Sequence, residues 1–330
     1  MSSVPNKLGK TRTGETYKHS GKVPAKGMLL VAFALIPFAI VMGVLYSFGI
    51  VYLPFMKIRV VVTLFFGGAL GGLSAIVCHK AKFRSRLAVF LVILLVSATS
   101  YYASWAVHHT AFGLRKGALN VPNAAVDALE GFAPKNIYRW AKIIHDNGIW
   151  SVGKGKKLKG IGVCILWALE ALIIFGTAIS SRGKFGSAPF CEDCDEWTNE
   201  TVDLANLPVA PDDPAWDKFS TGDLDAVKKL QLVVDSMQYV ELQVATCPTC
   251  ENSDFVSAVG VVLKHGKDGE FDKKTKPIVR HLRISRTQHD EIQAFASAMA
   301  EAVATMDEEM DIDDLDDISP IAESTPEEPI

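Results

Sequence analysis

Two cysteine pairs are the residues of this chain whose type and spacing could do chemistry. Cys191 and Cys194 form one Cys-x-x-Cys pair, and Cys247 and Cys250 form a second pair within the sequence Cys-Pro-Thr-Cys. Two such pairs supply the four ligands of a tetrahedral zinc ion, and an all-thiolate site leaves no position open for a substrate. The sequence therefore predicts structural Zn²⁺ held by these four cysteines, with no catalytic residue and no organic cofactor.

Three other uses of these thiols stay open at the level of sequence. A rubredoxin-like iron site takes the same four ligands. The Cys-Pro-x-Cys pair could be a redox motif, but such a motif opens a helix that lowers the thiol pKa, whereas the residues after Cys250 lead into a strand-like run. If this half of the chain lies outside the cytoplasm, two disulfides become the better interpretation.

The apolar segments lie in the first half of the chain. Runs at residues 28–53, 60–78, 87–107 and 161–179 each approach the roughly 20 residues needed to cross a ~30 Å hydrocarbon layer. Backbone groups cannot stay unpaired in lipid, so these runs must be helices. We therefore predict an integral membrane protein, with a four-helix transmembrane domain at residues 28–181 embedded in the lipid bilayer.

Lysine and arginine flanks predict the orientation of this domain. The segment 1–27 is basic and precedes the first span. The loop between the second and third spans is also basic, through Lys80, Lys82, Arg84 and Arg86. Because such residues favour the cytoplasmic side, we predict a cytoplasmic N-terminus and C-terminal domain, although Lys57, Arg59 and the lysine run at 154–159 oppose it. Short loops, a polytopic bundle and a basic head suggest a bacterial inner membrane.

A carboxylate occupies the middle of the fourth span. Glu170 lies within an otherwise apolar run, where it must be protonated, paired or in contact with a wet cavity. Either it forms an ion or proton site, with His108 or His109 at the end of the third span, or it serves packing alone.

Glycines recur in the second span at the small-x-x-x-small spacing that lets two helices approach closely. They are Gly67, Gly68, Gly71 and Gly72. This spacing predicts either packing inside one bundle or a homo-oligomer formed through these residues.

The connection at residues 109–160 is not simply polar. Between residues 134 and 148, large apolar residues recur at near-helical spacing with basic residues between them. This pattern predicts an amphipathic helix, which either lies on the membrane surface or packs on the bundle.

Residues 182–305 have the pattern of a small α+β domain. A helix is predicted at 222–236, with Thr221 as its N-cap and an apolar stripe of Leu224, Val227, Leu230 and Val234. Strands are predicted around 240–244, 255–263 and 278–284. A last helix is predicted to begin at Thr287 as N-cap, with a core face of Ile292, Phe295, Met299 and Val303.

The two cysteine pairs and the strands near them resemble a zinc ribbon with an insertion between its ligand pairs. The resemblance covers only this part of the chain and implies a zinc-ribbon-like fold. Residues 306–330 are strongly acidic with few large apolar residues, so we predict a disordered tail.

These features together predict a non-enzymatic, membrane-anchored zinc-binding adaptor or scaffold that recruits a protein partner to the cytoplasmic membrane face. No P-loop, nucleophile elbow, zincin or kinase motif is present in the sequence. The alternative is a channel or transporter subunit, or a membrane-perturbing effector, with a zinc-stapled regulatory domain. A thiol oxidoreductase is a further alternative.

A nucleic-acid partner is not expected, because the acidic tail opposes it and the domain is not basic overall. The residues that could nevertheless form a basic strip are Arg280, His281, Arg283 and Arg286. Binding of DNA or RNA by this strip is therefore the weakest of the functional hypotheses.

Overall fold

The computed structural model of the chain describes residues 13–53, 56–149, 151–152, 156–183, 188–199, 202–230, 237–250, 254–265 and 271–313. These residues belong to two compact units, one of His19–Ser187 and one of Ala188–Ile330 together with Met1–Lys18. Each unit has an apolar core of its own.

Helices form nearly all of the first unit. They are α1 (Ala25–Tyr52), α2 (Met56–Lys80), α3 (Arg86–Arg115), α4 (Val121–Gly131), α5 (Pro134–Asn147) and α6 (Ile161–Ser180). A short strand pair, β1 (Ser151–Val152) and β2 (Lys156–Lys157), precedes α6. Within the described part of the chain, α1, α2, α3 and α6 are long and apolar enough to cross a membrane, which confirms the four predicted spans as helices.

Helix α1 contains a π-helical turn at Val31–Leu35. Pro37 follows this turn, and it lacks a backbone N–H, while its ring crowds the carbonyl four residues earlier at Phe33. A wider π turn relieves that crowding without ending the helix. The first span therefore continues through a proline that would kink or break a regular α-helix.

Gly67 and Gly71 of α2 face α6 inside the bundle. A Cβ atom added at Gly71 would collide with the backbone of Ala178, and one added at Gly67 would also meet α6 backbone. Gly72 has open space where a Cβ would lie. Packing within one chain therefore uses part of the glycine pattern, and the homo-oligomer through Gly67, Gly68, Gly71 and Gly72 stays a prediction.

We expect Gly71→Ala to destabilise the membrane unit by about 1–3 kcal/mol, because the added methyl group must displace the backbone of Ala178. Gly72→Ala is the matched control and should be neutral or stabilising by up to ~1 kcal/mol, since alanine favours helix over glycine. Thermal unfolding of the purified protein in detergent measures both. Equal unfolding temperatures for the two variants would contradict the assigned packing.

The predicted amphipathic segment forms α5. Its Trp140 and Ile144 are buried in a cluster with Val163 of α6, whereas Tyr138 is 72% exposed. This arrangement favours the alternative in which the helix packs on the bundle. Helix α4 was not predicted from the sequence, although Pro122 fits the first turn of a helix.

The second unit is built on an antiparallel sheet. Its strands are β3 (Phe190–Cys191), β4 (Glu196–Trp197), β5 (Val202–Leu207), β6 (Gln238–Thr246), β7 (Asp254–His265) and β8 (Phe271–Ile284). β3 pairs with β4, and the other four form a sheet in the order β5-β6-β7-β8. Strand β5 was not predicted; a bulge between Asp203 and Ala205 interrupts its register and with it the alternation that marks a strand.

Among the residues that the structure describes, three helical segments complete this unit and share the core of the sheet. They are α7 (Ala215–Ser220), a 3₁₀ helix (Leu224–Lys229) and α8 (Arg286–Asp313). Trp216 and Phe219 of α7 pack in one cluster with Leu242, Val256 and Leu282 of the sheet. The α+β character predicted for this region is therefore confirmed, and the zinc-ribbon-like fold stays a prediction.

The helix predicted at 222–236 is wrong in type. The described residues form the short 3₁₀ helix, and residues 231–236 lie outside them. Val227 and Leu230 are buried as expected, but a spacing of three fits the three residues per turn of a 3₁₀ helix equally well. Thr221 is not an N-cap, because it follows α7 and its hydroxyl donates to the carbonyl of Lys218 at 2.7 Å.

The predicted N-cap of α8 is also wrong. Ser285, not Thr287, caps the helix: its Oγ accepts from the Gln288 N–H at 3.3 Å, and Gln288 Oε1 accepts from the Ser285 N–H at 2.9 Å. This reciprocal pair is a capping box. Ile292 is buried in the core, and Phe295 and Met299 pack against it; the side chain of Val303 lies outside the described residues.

Helix α8 reaches Asp313 and so extends beyond residue 306, where the acidic tail was predicted to begin. Residues 314–330, the greater part of the predicted disordered tail, lie outside the described residues. Asp254 ties the start of the helix to the sheet, because its Oδ2 lies 2.9 Å from His289 Nδ1 and 3.3 Å from Arg286 Nη1.

A segment of the N-terminal region belongs to this sheet. The N–H groups of Gly14 and Tyr17 donate to the carbonyls of Arg283 and His281, both at 2.8 Å, and Thr16 forms an antiparallel bridge with Leu282. The segment thus covers the outer edge of β8 near its end. Exposed strand edges invite unwanted pairing, so this cover protects the sheet.

We expect Tyr17→Ala to loosen this edge, because the ring is only 9% exposed and packs edge-on against Phe255 at 5.4 Å. Loss of a buried aromatic ring costs about 3–5 kcal/mol. Hydrogen exchange at the Arg283 amide should quicken, since that amide donates to the Glu15 carbonyl. Tyr138→Ala, at an exposed ring, is the control, and equal exchange in the two variants would contradict the packing.

Candidate metal centre

Two hairpins carry the four cysteines. Cys191 ends β3, and Cys194 lies in the turn to β4, where Asp195 adopts a left-handed backbone with φ of 53°. Cys247 and Cys250 lie in the connection between β6 and β7. Each Cys-x-x-Cys pair therefore sits in a tight turn, as a pair that grips one ion from one side requires.

The sheet brings the two turns together although residues 195–246 separate the pairs. β5 runs back along β6, with Val202 opposite Val244. Just before β5, the Asn199 N–H donates to the Thr246 carbonyl at 2.8 Å. The insertion between the pairs thus does not separate them in space, because its own strand is paired to the strand that leads to the second turn.

The four sulfur atoms converge on one point. All four Sγ atoms lie within 4.8 Å of one another, and those of Cys191 and Cys250 are 3.7 Å apart. A tetrahedral ion with Zn–S bonds of about 2.3 Å separates its sulfur ligands by ~3.8 Å. A disulfide would need about 2.05 Å, and all four cysteines are free thiols. The arrangement fits the binding of one metal ion.

The surroundings of the thiols act on their ionisation in both directions. Hydrogen bonding to the neighbouring sulfurs, that of Cys250 first, raises the pKa of the Cys194 thiol. Burial raises the pKa of Cys247, while the N–H groups of Thr249 and Cys250 donate to its sulfur and oppose that rise. Amides aimed at a sulfur stabilise a thiolate, and a divalent cation would offset the repulsion among four of them.

Contacts around the cysteines hold the two turns to each other. Thr249 Oγ1 in the second turn donates to Glu196 Oε2 beside the first at 2.6 Å. Phe190 packs edge-on against Trp197, with ring centres 5.0 Å apart, in a buried cluster that also contains Tyr17. Sequence reasoning missed these residues, because pattern alone gives no sign that positions so far apart in the chain meet.

This geometry bears on the redox alternative. Residues 247–250 connect two strands and do not open a helix, so the helix N-terminus that lowers a redox thiol pKa does not act here. With four sulfurs as ligands, a tetrahedral ion has no open position for a substrate. An ion held in this way would stabilise the fold and would lack the open position that reaction at a metal requires.

The other polar residues singled out in the sequence fall in different places. Glu170 meets Tyr46, whose hydroxyl lies 2.6 Å from its Oε1. His108 lines the same small cavity as Glu170, whereas His109 lies 3.2 Å from Asp127. Of the two histidines considered as companions of Glu170, the structure brings only His108 near it.

Two members of the candidate basic strip form ion pairs inside the domain. Arg283 forms an ion pair with Asp193 at 3.7 Å, and Arg286 forms one with the buried Asp254 at 3.3 Å. These charges are thereby partly neutralised. The expectation that nucleic acid is not a partner stays a prediction.

We expect the purified full-length protein to carry about one metal ion per chain, because four thiolates complete one tetrahedral site. Cys191→Ser and Cys250→Ser should each lower the bound metal to a small fraction of that value. Metal analysis by mass spectrometry measures it.

Cys164→Ser, in α6 and not one of the four grouped cysteines, is the control and should keep the full metal content. Iodoacetamide should alkylate the four thiols only after chelation of the metal. Folded, metal-free protein, or a mass that reports two disulfides, would overturn the assignment.

Comparison of this chain with protein-family models, with curated proteins and with solved structures finds no match. Its own geometry therefore carries the functional argument. That geometry is a unit of four helices able to span a membrane, and a strand-containing unit with four cysteines placed to hold a metal ion.

Proposed function

We propose that this protein is a membrane-anchored adaptor whose metal-stapled domain recruits a protein partner to the cytoplasmic face of the membrane. The observation that carries the proposal is the convergence of four sulfurs within 4.8 Å. A closed all-sulfur site suits a domain that needs a rigid surface rather than a reaction centre.

We take the metal to be zinc. A four-thiolate tetrahedral site is the ordinary setting of structural zinc, and such an ion contributes its binding energy to folding. Hairpin β3–β4 pairs through only two residues on each strand, so it needs such a contribution. Iron bound by the same four ligands would give strong visible absorption. The metal analysis described above also identifies the element directly.

The proposed orientation has the N-terminus and the metal domain both in the cytoplasm. Pairing of residues 14–17 with β8 supports a common side for the two, and an even number of spans agrees with it. The basic loop between α2 and α3 supports the cytoplasm as that side. Short loops and the basic head support a bacterial inner membrane.

The leading half of β8 is the surface proposed to bind the partner. Residues 271–277 are exposed throughout and lie on the edge strand of the sheet. Lys274 and Lys276 carry positive charge there, and Pro277 lacks the N–H that would extend pairing further. Like charges disfavour pairing with the same edge of a second copy, whereas an acidic extended segment of another protein is complementary.

We expect Lys274→Glu combined with Lys276→Glu to abolish capture of the partner, because reversed charge repels an acidic segment. A photo-crosslinking residue at position 275 in the full-length protein, used in intact membranes, measures capture. The control combines Lys218→Glu and Lys229→Glu, which are exposed elsewhere on the domain and change the net charge equally.

Cys247→Ser should also lose the crosslinked partner, since the metal holds the domain in shape, whereas Cys164→Ser should retain it. If the charge reversal on β8 and the control charge reversal capture equal amounts of crosslinked partner, the proposed surface is wrong. Capture that is unchanged in Cys247→Ser would overturn the role of the metal-stapled domain.

A further inference from the structure

Three membrane-spanning helices bring their polar side chains together inside the bundle. Tyr46 of α1, Thr63 of α2 and Glu170 of α6 form a continuous chain of contacts. The Tyr46 hydroxyl lies 2.6 Å from Glu170 Oε1 and 2.9 Å from Thr63 Oγ1, and Thr63 Oγ1 donates to the Arg59 carbonyl at 2.8 Å. Tyr46 and Thr63 are each only 5% exposed.

The number of hydrogen atoms in this chain depends on the state of Glu170. The Arg59 carbonyl can only accept, so Thr63 must donate its single hydroxyl hydrogen there. If Glu170 is ionised, the single hydrogen of the Tyr46 hydroxyl goes to Glu170 Oε1, and the contact between Tyr46 and Thr63 is left without a hydrogen. A protonated Glu170 supplies the third hydrogen. Each of the three contacts then has one donor and one acceptor, with every hydrogen pointing from Glu170 towards the Arg59 carbonyl.

The nearby cation does not replace that hydrogen. The guanidinium of Arg59 donates from Nε and Nη2 to the Leu53 carbonyl, at 2.9 and 2.7 Å. Glu170 also lies in the middle of α6, nine residues after Ile161 and ten before Ser180. At that depth of a bilayer an ionised side chain is costly, and neutralisation by a proton is the usual response.

A small cavity adjoins the acid. The cavity has a volume of about 20 Å³, which is room for one water molecule. Its lining includes Glu170, Ser47, Ser104 and His108. Ser47 is 2% exposed, and its Oγ has no hydrogen-bond partner among the described residues. A water molecule there could contact both Ser47 and Glu170.

His108 contributes a neutral ring to this cavity. Trp140 Nε1 donates to His108 Nδ1 at 3.0 Å, and because an indole N–H only donates, Nδ1 must be unprotonated. The remaining proton of the neutral ring is then on Nε2. The group around Glu170 therefore contains a donor ring, hydroxyl groups and one carboxyl group.

We propose that Glu170 is a proton-binding site within the membrane bundle. The acid donates to Tyr46, Tyr46 donates to Thr63, and Thr63 donates to the Arg59 carbonyl, while the cavity offers a water molecule a place beside the acid. The titratable groups that face Glu170 are Tyr46 from α1, Arg59 from α2, and Tyr101 and His108 from α3. The site is independent of the adaptor role and makes the bundle more than an anchor.

Infrared spectroscopy of the full-length protein in lipid vesicles at neutral pH tests the proposal. We expect the carbonyl band of a protonated carboxylic acid in the unmodified protein, and its loss to baseline in Glu170→Gln. Glu130→Gln, on the exposed surface of α4, is the matched control and should keep the band at full intensity.

Tyr46→Phe and Thr63→Val supply a second readout. Tyr46→Phe removes the acceptor of the acid hydrogen and should shift the band without abolishing it, and Thr63→Val should shift it less. These variants also keep the test decisive if Glu170→Gln fails to fold.

Absence of the band in the unmodified protein, or its survival in Glu170→Gln, would overturn the proposal. A band that disappears when sodium replaces potassium at fixed pH would also overturn it, because Glu170 would then bind a metal cation instead. An unshifted band in Tyr46→Phe would refute the hydrogen-bonded chain.

Discussion

Convergence of four sulfur atoms is the constraint on which the second unit depends. Hairpin β3–β4 has too few residue pairs to be stable alone. An ion held by the sulfurs of Cys191, Cys194, Cys247 and Cys250 would give both turns a fixed point in common. The bond between Thr249 and Glu196 and the aromatic cluster of Phe190 and Trp197 then fix their mutual orientation.

Much of the fold follows from the sequence where one physical effect dominates. Hydropathy alone located the four candidate spans, because lipid tolerates only long apolar helices, and cysteine spacing located the four residues that could hold a metal ion. The amphipathic pattern likewise gave α5. In each case the signal lies in consecutive residues, so no knowledge of distant contacts was needed.

The predictions that failed concern features that depend on contacts between residues distant in the sequence. The apolar spacing of Val227 and Leu230 suits two helix types, and packing against the sheet decides between them. In β5 a bulge interrupts the alternation of side chains that would mark a strand. At the start of α8, Thr287 is as plausible a cap by residue type as Ser285, which forms the capping box. The polar chain of Tyr46, Thr63 and Glu170 joins three helices, so only their packing reveals it.

The strip of residues 14–17 on the edge of β8 has a consequence for biosynthesis. Thr16 precedes its partner Leu282 by 266 positions (282 − 16), and every span lies between them. At roughly 5–20 residues per second, translation needs roughly 15–50 s to cover that distance. The N-terminal strip must therefore wait unpaired while the helices insert, and the sheet closes only after β8 leaves the ribosome.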